Sequence, residues 1–446
     1  MPVWLFKIIQ PIYHYILAKL SALIYFYPSN KMITIGVTGT TGKSSTCYFI
    51  AQILESAGFK VGMSTTTLFK INKKEWLNDK KMTMIGRFQL QKLLKQMVKE
   101  KCDVAIVETT SEGIKQFRHL GINYDILVFT NLYPEHIESH GSFEKYKNTK
   151  GRLFNYLHSC KKKRLGKIFH KKIEKLEIKK LRDFKKTIIV NLDDEYAKYF
   201  LDFPAENKIG YSIMNNELRI KNYAKNIKKI IASEIKIENE KIKTIIHNSL
   251  FIIPLLGKYN IYNVLAGVAI AQTLNIPEDK IKSAIENLKP LPGRLEFIRN
   301  NLDIKILIDY AFEPKAVEKL YDTVKDIEHN KIIHVLGSTG GGRDKERRPI
   351  LGKLASENAD VVIVTNEDPY DEDPQEIIDQ VAQPVLENKL YKILDRREAI
   401  RKALQIAEKD DLILITGKGA EQKMCLANGK MIDWDDRRVV ASLLSS

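Results

Sequence analysis

The sequence predicts an α/β protein with two sheet-containing domains, and three observations support this fold class. Short apolar runs typical of buried strands alternate with segments of helical spacing from Met32 onwards. The first run leads into a glycine-rich turn and a helix, MITIGVTGTTGKSSTCYFIAQILESAG. A segment with two prolines and a glycine, LKPLPGRLEFI, separates this series from a second one. We therefore expect a P-loop-type domain with a mostly parallel sheet, followed by a Rossmann-like α/β domain.

The first element is an apolar helical segment over residues 1–30. Between Ile8 and Asn30 the only Lys, Arg, Asp or Glu is Lys19. We expect a helix that packs on the next domain. An interfacial membrane helix over residues 8–30 and a true membrane span stay open as alternatives. No small-residue cleavage site follows, which argues against a signal peptide.

The central domain is predicted over residues 31–291. Buried strands are expected at Val104–Thr110 and Ile126–Leu132, and a small antiparallel section at 209–253. The stretch 158–186 carries thirteen Lys or Arg and three acidic residues, without interleaved aromatic platforms. It is therefore interpreted as a solvated helical insertion and not as a nucleic-acid arm.

The second domain is predicted over residues 292–446. Its strand-like runs are IKILIDYA, KIIHVLGSTGGG, ADVVIVTNEDP and DLILITGKG, and a polar loop ends each of them. Ligands of open α/β sheets bind at the carboxyl ends of the strands. These four loops are therefore candidate ligand-binding segments.

Composition restricts the class of protein. The chain has 446 residues, of which 44% are hydrophobic and 28% charged, a normal globular mixture for two or three domains. Its four cysteines form no CxxC pair, which is typical of a reduced, cytoplasmic chain. The net charge of +17 favours anionic partners such as nucleotides, phosphorylated substrates or an anionic membrane surface. We expect a monomer without a nucleic-acid partner.

The stretch GVTGTTGKSST, Gly36 to Thr46, predicts a nucleoside triphosphate site. Glycines in the turn let the backbone approach phosphates, and the helix N-terminus attracts anions. Lys43 would contact the β- and γ-phosphates, and Ser44 would offer its hydroxyl to Mg²⁺. Five residues separate Gly36 from Gly42, one more than in the simplest form of this motif. The predicted loop comprises Gly39, Thr40, Thr41, Gly42, Lys43, Ser44 and Ser45.

The longer loop resembles the form GxTGTxGK[ST] of the Mur ligases. Further stretches resemble that family in the same order: FTNLYPEHIESHGSFEKYKNTKGRLF, PLLGKYNIYNVLAG, LPGRLEF, IDYAFEP, GGGRDKERRP, TNEDPYDEDP and GKGAE. The resemblance covers the chain from about Met32 to its end and is closest to the MurE-type branch. It implies an ATP-dependent amide ligase that adds an amino acid to a muramoyl-peptide precursor of peptidoglycan through an acyl phosphate.

The resemblance also implies a set of metal ligands. Glu108 and His136 match residues that hold Mg²⁺ in the family, together with Ser44. Lys150 matches a lysine that reacts with CO₂ to form a carbamate, which converts a cation into a carboxylate-like group. With Lys43, these side chains are the expected catalytic residues.

Other positions match the family's contacts to ATP and to the acceptor. Met84 replaces the second hydroxyl of a Thr-Thr pair, which removes one donor. The residues expected to contact ATP beyond the loop are Asn260, Arg294 and Asp309. Those expected to hold the acceptor are Thr83, Thr110, Gln116 and Arg118.

The predicted amino-acid pocket departs from the family's diaminopimelate pattern. Tyr370 replaces the arginine that grips the distal carboxylate of diaminopimelate, and Asp371 adds an acid. Lysine or ornithine is therefore favoured over diaminopimelate as the amino acid. The residues expected in this pocket are Arg343, Glu367, Asp368, Pro369, Tyr370, Gly417 and Glu421.

The family normally begins with a domain that binds the UDP part of the substrate, whereas here residues 1–30 precede the first strand. The acceptor could be a UDP-muramoyl peptide held by the central domain alone, or a lipid-linked precursor beside a membrane. Alternatively, a partner protein could supply the missing contacts. A non-muramoyl acid, as in folylpolyglutamate synthesis, and a degenerate ATP-binding scaffold remain alternatives. The apolar segment leaves peripheral attachment at the inner membrane face open.

Overall fold

The computed structural model describes residues 3–135, 137–163, 184–213, 227–238, 240–342 and 344–445. The chain divides into two compact units, Met1–Lys289 and Pro290–Ser446. Two predicted site residues, His136 and Arg343, and most of the basic stretch lie outside the described residues. The two units are considered in turn.

The first unit is built on one large, mostly parallel sheet. Its strands are β1 Ile33–Thr38, β2 Val61–Ser64, β3 Leu68–Ile71, β4 Lys74–Leu77, β5 Val104–Glu108, β6 Ile126–Phe129, β7 Thr187–Asn191, β8 Asn207–Ser212, β9 Lys228–Glu238, β10 Lys241–Ile246 and β11 Ser249–Ile253. They lie in the order β11-β10-β9-β8-β7-β6-β1-β5-β2-β3-β4. The strands from β9 to β2 pair in parallel, and antiparallel hairpins extend both edges. The predicted antiparallel section is thus an extension of the main sheet, because β8 and β9 pair in parallel.

Nine α-helices are described in this unit, and several of them pack against the sheet. They are α1 Val3–Ile24, α2 Lys43–Ser56, α3 Arg87–Lys99, α4 Ser111–Lys115, α5 Ile137–His140, α6 Phe143–Ser159, α7 Ala197–Leu201, α8 Tyr259–Thr273 and α9 Glu278–Glu286. Gly267 in α8 allows a close approach to α2, since a Cβ there would lie 2.6 Å from Cδ1 of Ile53. This packing brings the polar start of α8 beside the phosphate loop at the start of α2.

The second unit has its own parallel sheet. Its strands are β12 Glu296–Phe297, β13 Lys305–Ile308, β14 Ile332–Leu336, β15 Val361–Thr365, β16 Leu390–Ile393, β17 Leu412–Ile415, β18 Lys423–Cys425 and β19 Met431–Asp433. Its helices are α10 Pro314–Val324, α11 Arg347–Asn358, α12 Pro374–Ala382, α13 Arg396–Ile406 and α14 Asp436–Leu444. The order β12-β13-β17-β14-β15-β16 is parallel except for β12, and β18 pairs with β19 separately. The predicted α/β fold class, with a large mostly parallel sheet and a second sheet, is confirmed.

Both ends of the basic stretch are fixed at one buried carboxylate. Nζ of Lys163 lies 2.5 Å from Oδ2 of Asp125, and Nζ of Lys186 lies 2.9 Å from its Oδ1. Lys163 also donates to the backbone carbonyls of Met32 and Asn123, each at 2.7 Å. Burial lowers the pKa of Lys163 to about 8. Lys163 and Lys186 are therefore held at the same buried carboxylate.

The helix α1 packs on the first unit through small residues and exposes large ones. Ala18, Ser21 and Ala22 are buried, and a Cβ on Gly121 would lie 2.4 Å from the Cβ of Ala22. Its outward side chains and those just after it include apolar residues that are 38% to 74% exposed: Ile9, Ile12, Tyr13, Tyr15, Ile16, Leu20, Leu23, Ile24, Phe26 and Tyr27. Among the helices described, none is long and apolar enough to cross a membrane.

Candidate active site

The phosphate loop lies at the carboxyl end of β1, between its neighbours β5 and β6. Gly39 and Gly42 have positive φ angles of 155° and 76°. A Cβ on Gly39 would lie 2.0 Å from Oγ1 of Thr130, and one on Gly42 would lie 2.8 Å from Oδ1 of Asn263. Both positions thus require glycine, which leaves the loop backbone open to a phosphate chain.

The loop that follows β6 holds the phosphate loop in place. The amide of Thr41 donates to Oδ1 of Asn131 at 2.9 Å, and the hydroxyl of Thr130 donates to the carbonyl of Thr41 at 2.8 Å. Nζ of Lys43 donates to the carbonyl of Thr40 at 2.6 Å, so the lysine folds back over the loop. Asn131 is absent from the residues predicted from sequence, although its place directly after a buried strand is a usable signal.

Ser44 and Glu108 form the centre of the candidate metal site. The hydroxyl of Ser44 donates to Oε2 of Glu108 at 2.8 Å, and Glu108 is 1% exposed. Thr66 donates to the same carboxylate through its amide at 2.8 Å and its hydroxyl at 3.0 Å. The hydroxyl of Thr66 also contacts that of Thr83 at 2.8 Å. Thr66, missed from sequence, thus connects the predicted acceptor residue Thr83 to Glu108.

The donor set fits Mg²⁺ that is bound mainly by oxygen atoms from outside the protein. Within the described chain, no group of three His, Cys, Asp or Glu side chains could hold a metal ion. Mg²⁺ usually keeps several waters and binds one or two carboxylates together with substrate phosphates. Ser44 and Glu108, next to the loop glycines, meet that requirement. The predicted ligand His136 is outside the described residues.

Lys150 lies on α6 and reaches the same loop. It is 1% exposed, and its Nζ donates to the carbonyl of Gly39 at 2.8 Å and lies 4.6 Å from the ring centroid of Tyr146. Burial, and secondly the charge of Lys43, holds the pKa of Lys150 well below the usual lysine value. The amine of Lys150 therefore loses its proton at a lower pH than the amine of an ordinary lysine does. A neutral amine is the form that reacts with CO₂.

Asn260 belongs to a polar chain that reaches the phosphate loop. Its Oδ1 accepts from Nδ2 of Asn263 at 2.9 Å, and its Nδ2 donates to the carbonyl of Leu256 at 2.7 Å. Oδ1 of Asn263 accepts from the hydroxyl of Thr46 at 2.9 Å. The predicted adenine-contacting residue is thus held by its own helix and linked to α2.

The four predicted acceptor residues occupy a small region around α4. Thr110 caps α4, since its hydroxyl accepts from the amide of Gly113 at 3.1 Å. Oε1 of Gln116 accepts from Nη2 of Arg118 at 2.6 Å. Met84 is buried, and its Sδ would lie 2.5 Å from a Cβ on Gly113. The methionine that replaces a hydroxyl residue therefore packs in the core, while Thr83 keeps its contact through Thr66.

In the second unit, Asp309 directly follows β13 and accepts hydrogen bonds from the backbone before and after that strand. Its Oδ2 accepts from the amide of Leu295 at 2.8 Å and its Oδ1 from the amide of Ala311 at 2.7 Å. Burial raises the pKa of Asp309, and the neighbouring Arg294 opposes this shift. The guanidinium of Arg294 lies 4.2 Å from the ring centroid of Tyr310. The two predicted ATP residues of this unit are therefore neighbours.

Glu367 and Gly417 meet at the carboxyl ends of β15 and β17. Oε1 of Glu367 accepts from the hydroxyl of Thr339 at 2.7 Å. Its Oε2 is buried and has no hydrogen-bond partner among the residues described, and burial raises the pKa of Glu367. Gly417 has φ 102°, and a Cβ there would lie 2.3 Å from Oε2 of Glu367. This carboxyl group is thus held against a backbone that only glycine allows.

Asp368 and Glu421 share a buried lysine that was not among the predicted residues. Nζ of Lys418 donates to both oxygens of Asp368 at 2.9 and 3.0 Å and to Oε2 of Glu421 at 2.7 Å. Oε1 of Glu421 accepts from the hydroxyl of Tyr310 at 2.9 Å. The two predicted acidic residues are therefore partly neutralised within the protein. The signal that could have identified Lys418 is its place between two glycines after a buried strand.

Pro369 and Tyr370 pack on the glycine loop that follows β14. A Cβ on Gly340 would lie 2.2 Å from the carbonyl oxygen of Pro369, and one on Gly341 would lie 2.7 Å from the ring of Tyr370. Tyr370 itself has φ 52°, a conformation that non-glycine residues rarely adopt. The tyrosine is thus held directly beside the loop that leads to residue 343.

Comparisons with known proteins identify the class to which this fold and site belong. The family model described as "Mur ligase middle domain" matches residues 37–163 and 164–271. The model described as "Mur ligase, glutamate ligase domain" matches residues 293–419. The chain belongs to the Mur ligase family.

Comparisons with individual proteins show which members of that family the chain resembles. A UDP-N-acetylmuramoyl-L-alanyl-D-glutamate–2,6-diaminopimelate ligase of Clostridium botulinum is 33% identical over 431 residues, which cover 96% of this chain and 81% of the relative. A solved structure of a ligase with the same name is 27% identical, with a TM-score of 0.60 over 93% of this chain and 78% of that one. Folylpolyglutamate synthase of Mycobacterium tuberculosis is 14% identical, with a TM-score of 0.59 over 87% of this chain and 89% of that one, and shares the fold alone. The predicted resemblance to MurE-type Mur ligases is confirmed.

Proposed function

We propose that the chain is an ATP-dependent ligase that adds an amino acid to a muramoyl-peptide precursor of peptidoglycan. An acceptor carboxylate oxygen attacks the γ-phosphorus of ATP, and the bond to ADP breaks to leave an acyl phosphate. The amine of the amino acid then attacks the acyl carbon, phosphate leaves, and the amine loses a proton as the amide forms. The observation that carries this proposal is the convergence of Lys43, Ser44, Glu108 and Lys150 on one phosphate loop.

We propose a domain arrangement of residues 1–30, 31–291 and 292–446. Residues of the second and third parts would contact ATP. The phosphate loop, Gly39 to Ser45, with the amine of Lys43 would bind phosphate oxygens, and Ser44 and Glu108 would hold Mg²⁺. When bound, Mg²⁺ would neutralise charge on the transferring phosphoryl group. His136 is proposed as a further ligand from the family match. Ser45, Asn260, Arg294 and Asp309 complete the proposed ATP contacts.

Lys150 is proposed to carry a carbamate. The neutral amine would attack CO₂, a C–N bond would form, and one proton would be released. The burial of Lys150 and the lowered pKa of its amine support this step, because both favour the unprotonated nucleophile. The product would place a negative charge beside Gly39, where a divalent cation could offset it.

The amino acid is proposed to carry a side-chain amine, with lysine or ornithine favoured over diaminopimelate. Glu367, Asp371 and the pair of Asp368 and Glu421 around Lys418 bring four acidic side chains to this region. The side chain of Tyr370 carries no positive charge, so it cannot form an ion pair with a second carboxylate on the amino acid. Pro369, Gly417 and Arg343 are kept as proposed contacts of this pocket.

The exposed face of α1 is proposed to rest on an anionic membrane surface. Its large apolar and tyrosine side chains are typical of a helix that lies in the interface. The helix packs against α3, whose Lys92, Lys95 and Lys99 are exposed. Nζ of Lys95 lies 5.7 Å from the ring of Tyr25 and 5.5 Å from that of Phe26, so positive charge adjoins the aromatic residues. This arrangement is complementary to a bilayer with negatively charged headgroups.

Vesicle sedimentation tests the membrane proposal. Each isoleucine or leucine that enters the interface contributes about 1.5–3 kcal/mol, so Ile16→Ser with Leu23→Ser should lower binding to anionic vesicles at least about tenfold. The matched control changes Leu250 and Leu302 to serine, since both are comparably exposed elsewhere. Equal vesicle binding by both double variants would contradict the proposal. Self-association through α1 without lipid binding would also contradict it.

Phosphate release from ATP tests the ligase itself. Purified protein is assayed with a UDP-muramoyl dipeptide and single amino acids, including lysine, ornithine and diaminopimelate. We expect release that requires both the dipeptide and an amino acid with a side-chain amine. Activity should fall after CO₂ is removed and recover when bicarbonate is added. Phosphate release that does not require the dipeptide, or does not require the amino acid, would refute the ligase activity. Full activity without CO₂ would refute the carbamate on Lys150.

A further inference from the structure

Two arginine side chains converge on Gln116 at the edge of the acceptor region. Nη2 of Arg87 donates to the backbone carbonyl of Gln116 at 2.9 Å, and Nη2 of Arg118 donates to its Oε1 at 2.6 Å. Both arginines are partly buried. Arg87 comes from the first turn of α3, and Arg118 follows α4, so two separate elements bring positive charge to one place.

This arginine pair, Arg87 and Arg118, has no carboxylate partner in the described portions of the chain. Glu112, whose charge acts on Arg118, instead accepts from Nε2 of Gln116 at 2.8 Å and from the hydroxyl of Ser139 at 3.0 Å. Nε of each arginine is buried without a hydrogen-bond partner. Burial lowers the pKa of both guanidinium groups, and Arg87 lowers that of Arg118 further. Two adjacent, half-buried like charges raise the free energy of the fold unless an anion neutralises them.

The groups around the pair add positive potential. The helix α3 begins after Gly86 without a side-chain cap and has no acidic residue in its first turn. Its N-terminus therefore carries an uncompensated partial positive charge. His14 on α1 faces the pair, and burial followed by the charges of Arg87 and Arg118 lowers its pKa. Tyr13 and Glu112 are the neighbours that oppose these shifts, and Lys115 adds a further cation near Glu112.

The pair is connected to the proposed reaction centre through a short stretch of chain. Nη1 of Arg118 donates to the carbonyl of Met84. The preceding residue, Thr83, contacts Thr66, which donates to Glu108. The arginine pair therefore lies on the acceptor side of the Ser44–Glu108 centre, within the same unit.

We propose that Arg87 joins Arg118 to form an oxyanion site for the acceptor, bordered by His14 of α1. The ligand is a carboxylate or phosphate group, because guanidinium groups bind both through paired hydrogen bonds. This inference rests on the proposed function for the identity of the acceptor. Arg87 is not part of any sequence motif described above. The proposal gives it a role in determining which acceptor is bound.

Equilibrium binding with three acceptors tests the site without requiring turnover. The probes are a UDP-muramoyl dipeptide, its analogue with the free peptide carboxylate amidated, and the muramoyl dipeptide without UDP. A hydrogen bond to a charged group contributes about 1.5–3 kcal/mol, so Arg87→Gln should weaken binding of the first probe about 10- to 100-fold. ATP affinity should not change. The exposed Arg299, changed to Gln, is the matched control.

The analogues separate the two sources of the anion. If the peptide carboxylate is the ligand, Arg87→Gln has no effect on the amidated probe. If the pyrophosphate is the ligand, the variant has no effect on the probe without UDP. An unchanged affinity of Arg87→Gln for all three probes would overturn the proposal.

A second measurement keeps the proposal testable if the acceptor is not a muramoyl peptide. Sulfate should raise the thermal midpoint of the wild-type protein above its value in chloride at equal ionic strength, because it binds the folded pair. Arg87→Gln should lose this difference, whereas Arg299→Gln should keep it. A sulfate effect that is equal in all three proteins would refute the oxyanion site whatever the acceptor is.

Discussion

Two fully buried lysines, one in each unit, have opposite surroundings. Lys418 is 0% exposed and donates to Asp368, to Glu421 and to the carbonyl of Lys423. Lys150 is 1% exposed, but its Nζ has the carbonyl of Gly39 and the ring of Tyr146, and no carboxylate within ion-pair distance in the chain as described. The same side chain is a structural cation in one unit and a candidate neutral nucleophile in the other. The partners of a buried lysine, more than its burial, thus determine its chemistry.

The largest expected effect is the loss of activity in Lys150→Met. Removing one preorganised charged group from a reaction centre typically costs about 100- to 1,000-fold in kcat. We expect a loss of that size in acceptor-dependent phosphate release, with ATP affinity nearly unchanged. Because the amine has no ionic partner to leave behind, the free energy of unfolding should change little. Kinetics and denaturant unfolding of the same preparation measure both quantities.

The control for this variant is Lys145→Met on the same helix. Lys145 is exposed, and its backbone amide, not its side chain, bonds to Ser142. It should keep full activity. Normal turnover by Lys150→Met, or a loss shared with Lys145→Met, would remove the distinction between the two buried lysines.

Lys418→Met should show the reverse pattern, with the larger effect on stability. Breaking a buried ion pair by removing one partner costs about 3–5 kcal/mol, because the carboxylates remain buried without a cation. Urea unfolding of the variant measures this change. The neighbouring pair of Lys423 and Asp433 is more exposed, so Lys423→Met should cost no more than about 1 kcal/mol. Equal losses in the two variants would show that Lys418 contributes no more than a surface cation.

Glu367 and Asp368 sharpen the comparison within one loop. The pKa of Glu367 is raised by burial, so the folded state keeps a proton at pH values where the unfolded chain releases it. Glu367 therefore favours folding below its unfolded pKa of about 4.5, and this contribution is lost as pH rises through the folded value. Glu367→Gln should accordingly gain stability relative to wild type as pH rises. Asp368→Asn should lose about 3 kcal/mol at neutral pH, since Lys418 loses a partner.

Unfolding free energies measured across this pH range test both variants. A difference between Glu367→Gln and wild type that does not depend on pH would contradict the raised pKa. A neutral effect of Asp368→Asn would show that Glu421 alone is a sufficient partner for Lys418.

The smallest expected effect at neutral pH concerns a buried base with neutral partners. His334 lies between the hydroxyl of Tyr321 at 2.6 Å and that of Thr416 at 2.9 Å, and burial lowers its pKa to about 3. As pH falls, His334 takes up a proton in the unfolded chain before it does so in the folded protein. Stability should therefore fall as pH drops below 6.5, by at most about 1.4 kcal/mol per pH unit. His334→Gln should lose this part of the acid dependence. An acid slope equal to that of wild type would contradict the assignment.

The strand, glycine turn and helix around Gly39 to Ser45 were predictable because their signal is local. A buried strand, two glycines, a lysine and a helix are consecutive in sequence, and the carboxyl end of β1 follows from the parallel sheet. Glu108 and Lys150 came from the family resemblance, and their contacts with Ser44 and Gly39 are consistent with it. Fold class could be predicted from the alternation of buried strands and helices for the same local reason.

Thr66 and Arg87 could not be chosen in advance, and the only sequence signal for Asn131 and Lys418 was a place after a buried strand. Each acquires its importance from a contact between segments far apart in sequence, such as the bond between Thr66 and Glu108. The chain contains many threonines, asparagines and lysines, and their types alone carry no such information. The acidic pocket shows the same limit, because sequence could count Asp368 and Glu421 but not the lysine that lies between them.

The single carboxylate of Asp125 also has an engineering consequence. Lys163 and Lys186 bind the two oxygens of this buried carboxylate, so one ion-paired group fixes the residues on both sides of the stretch between them. We expect a change in the length or charge of that stretch to leave the register of β6 and β7 unchanged, since the closure cost of a longer loop grows only slowly. This stretch is therefore a suitable place to insert a fluorescent reporter or an affinity tag, far along the chain from the phosphate loop.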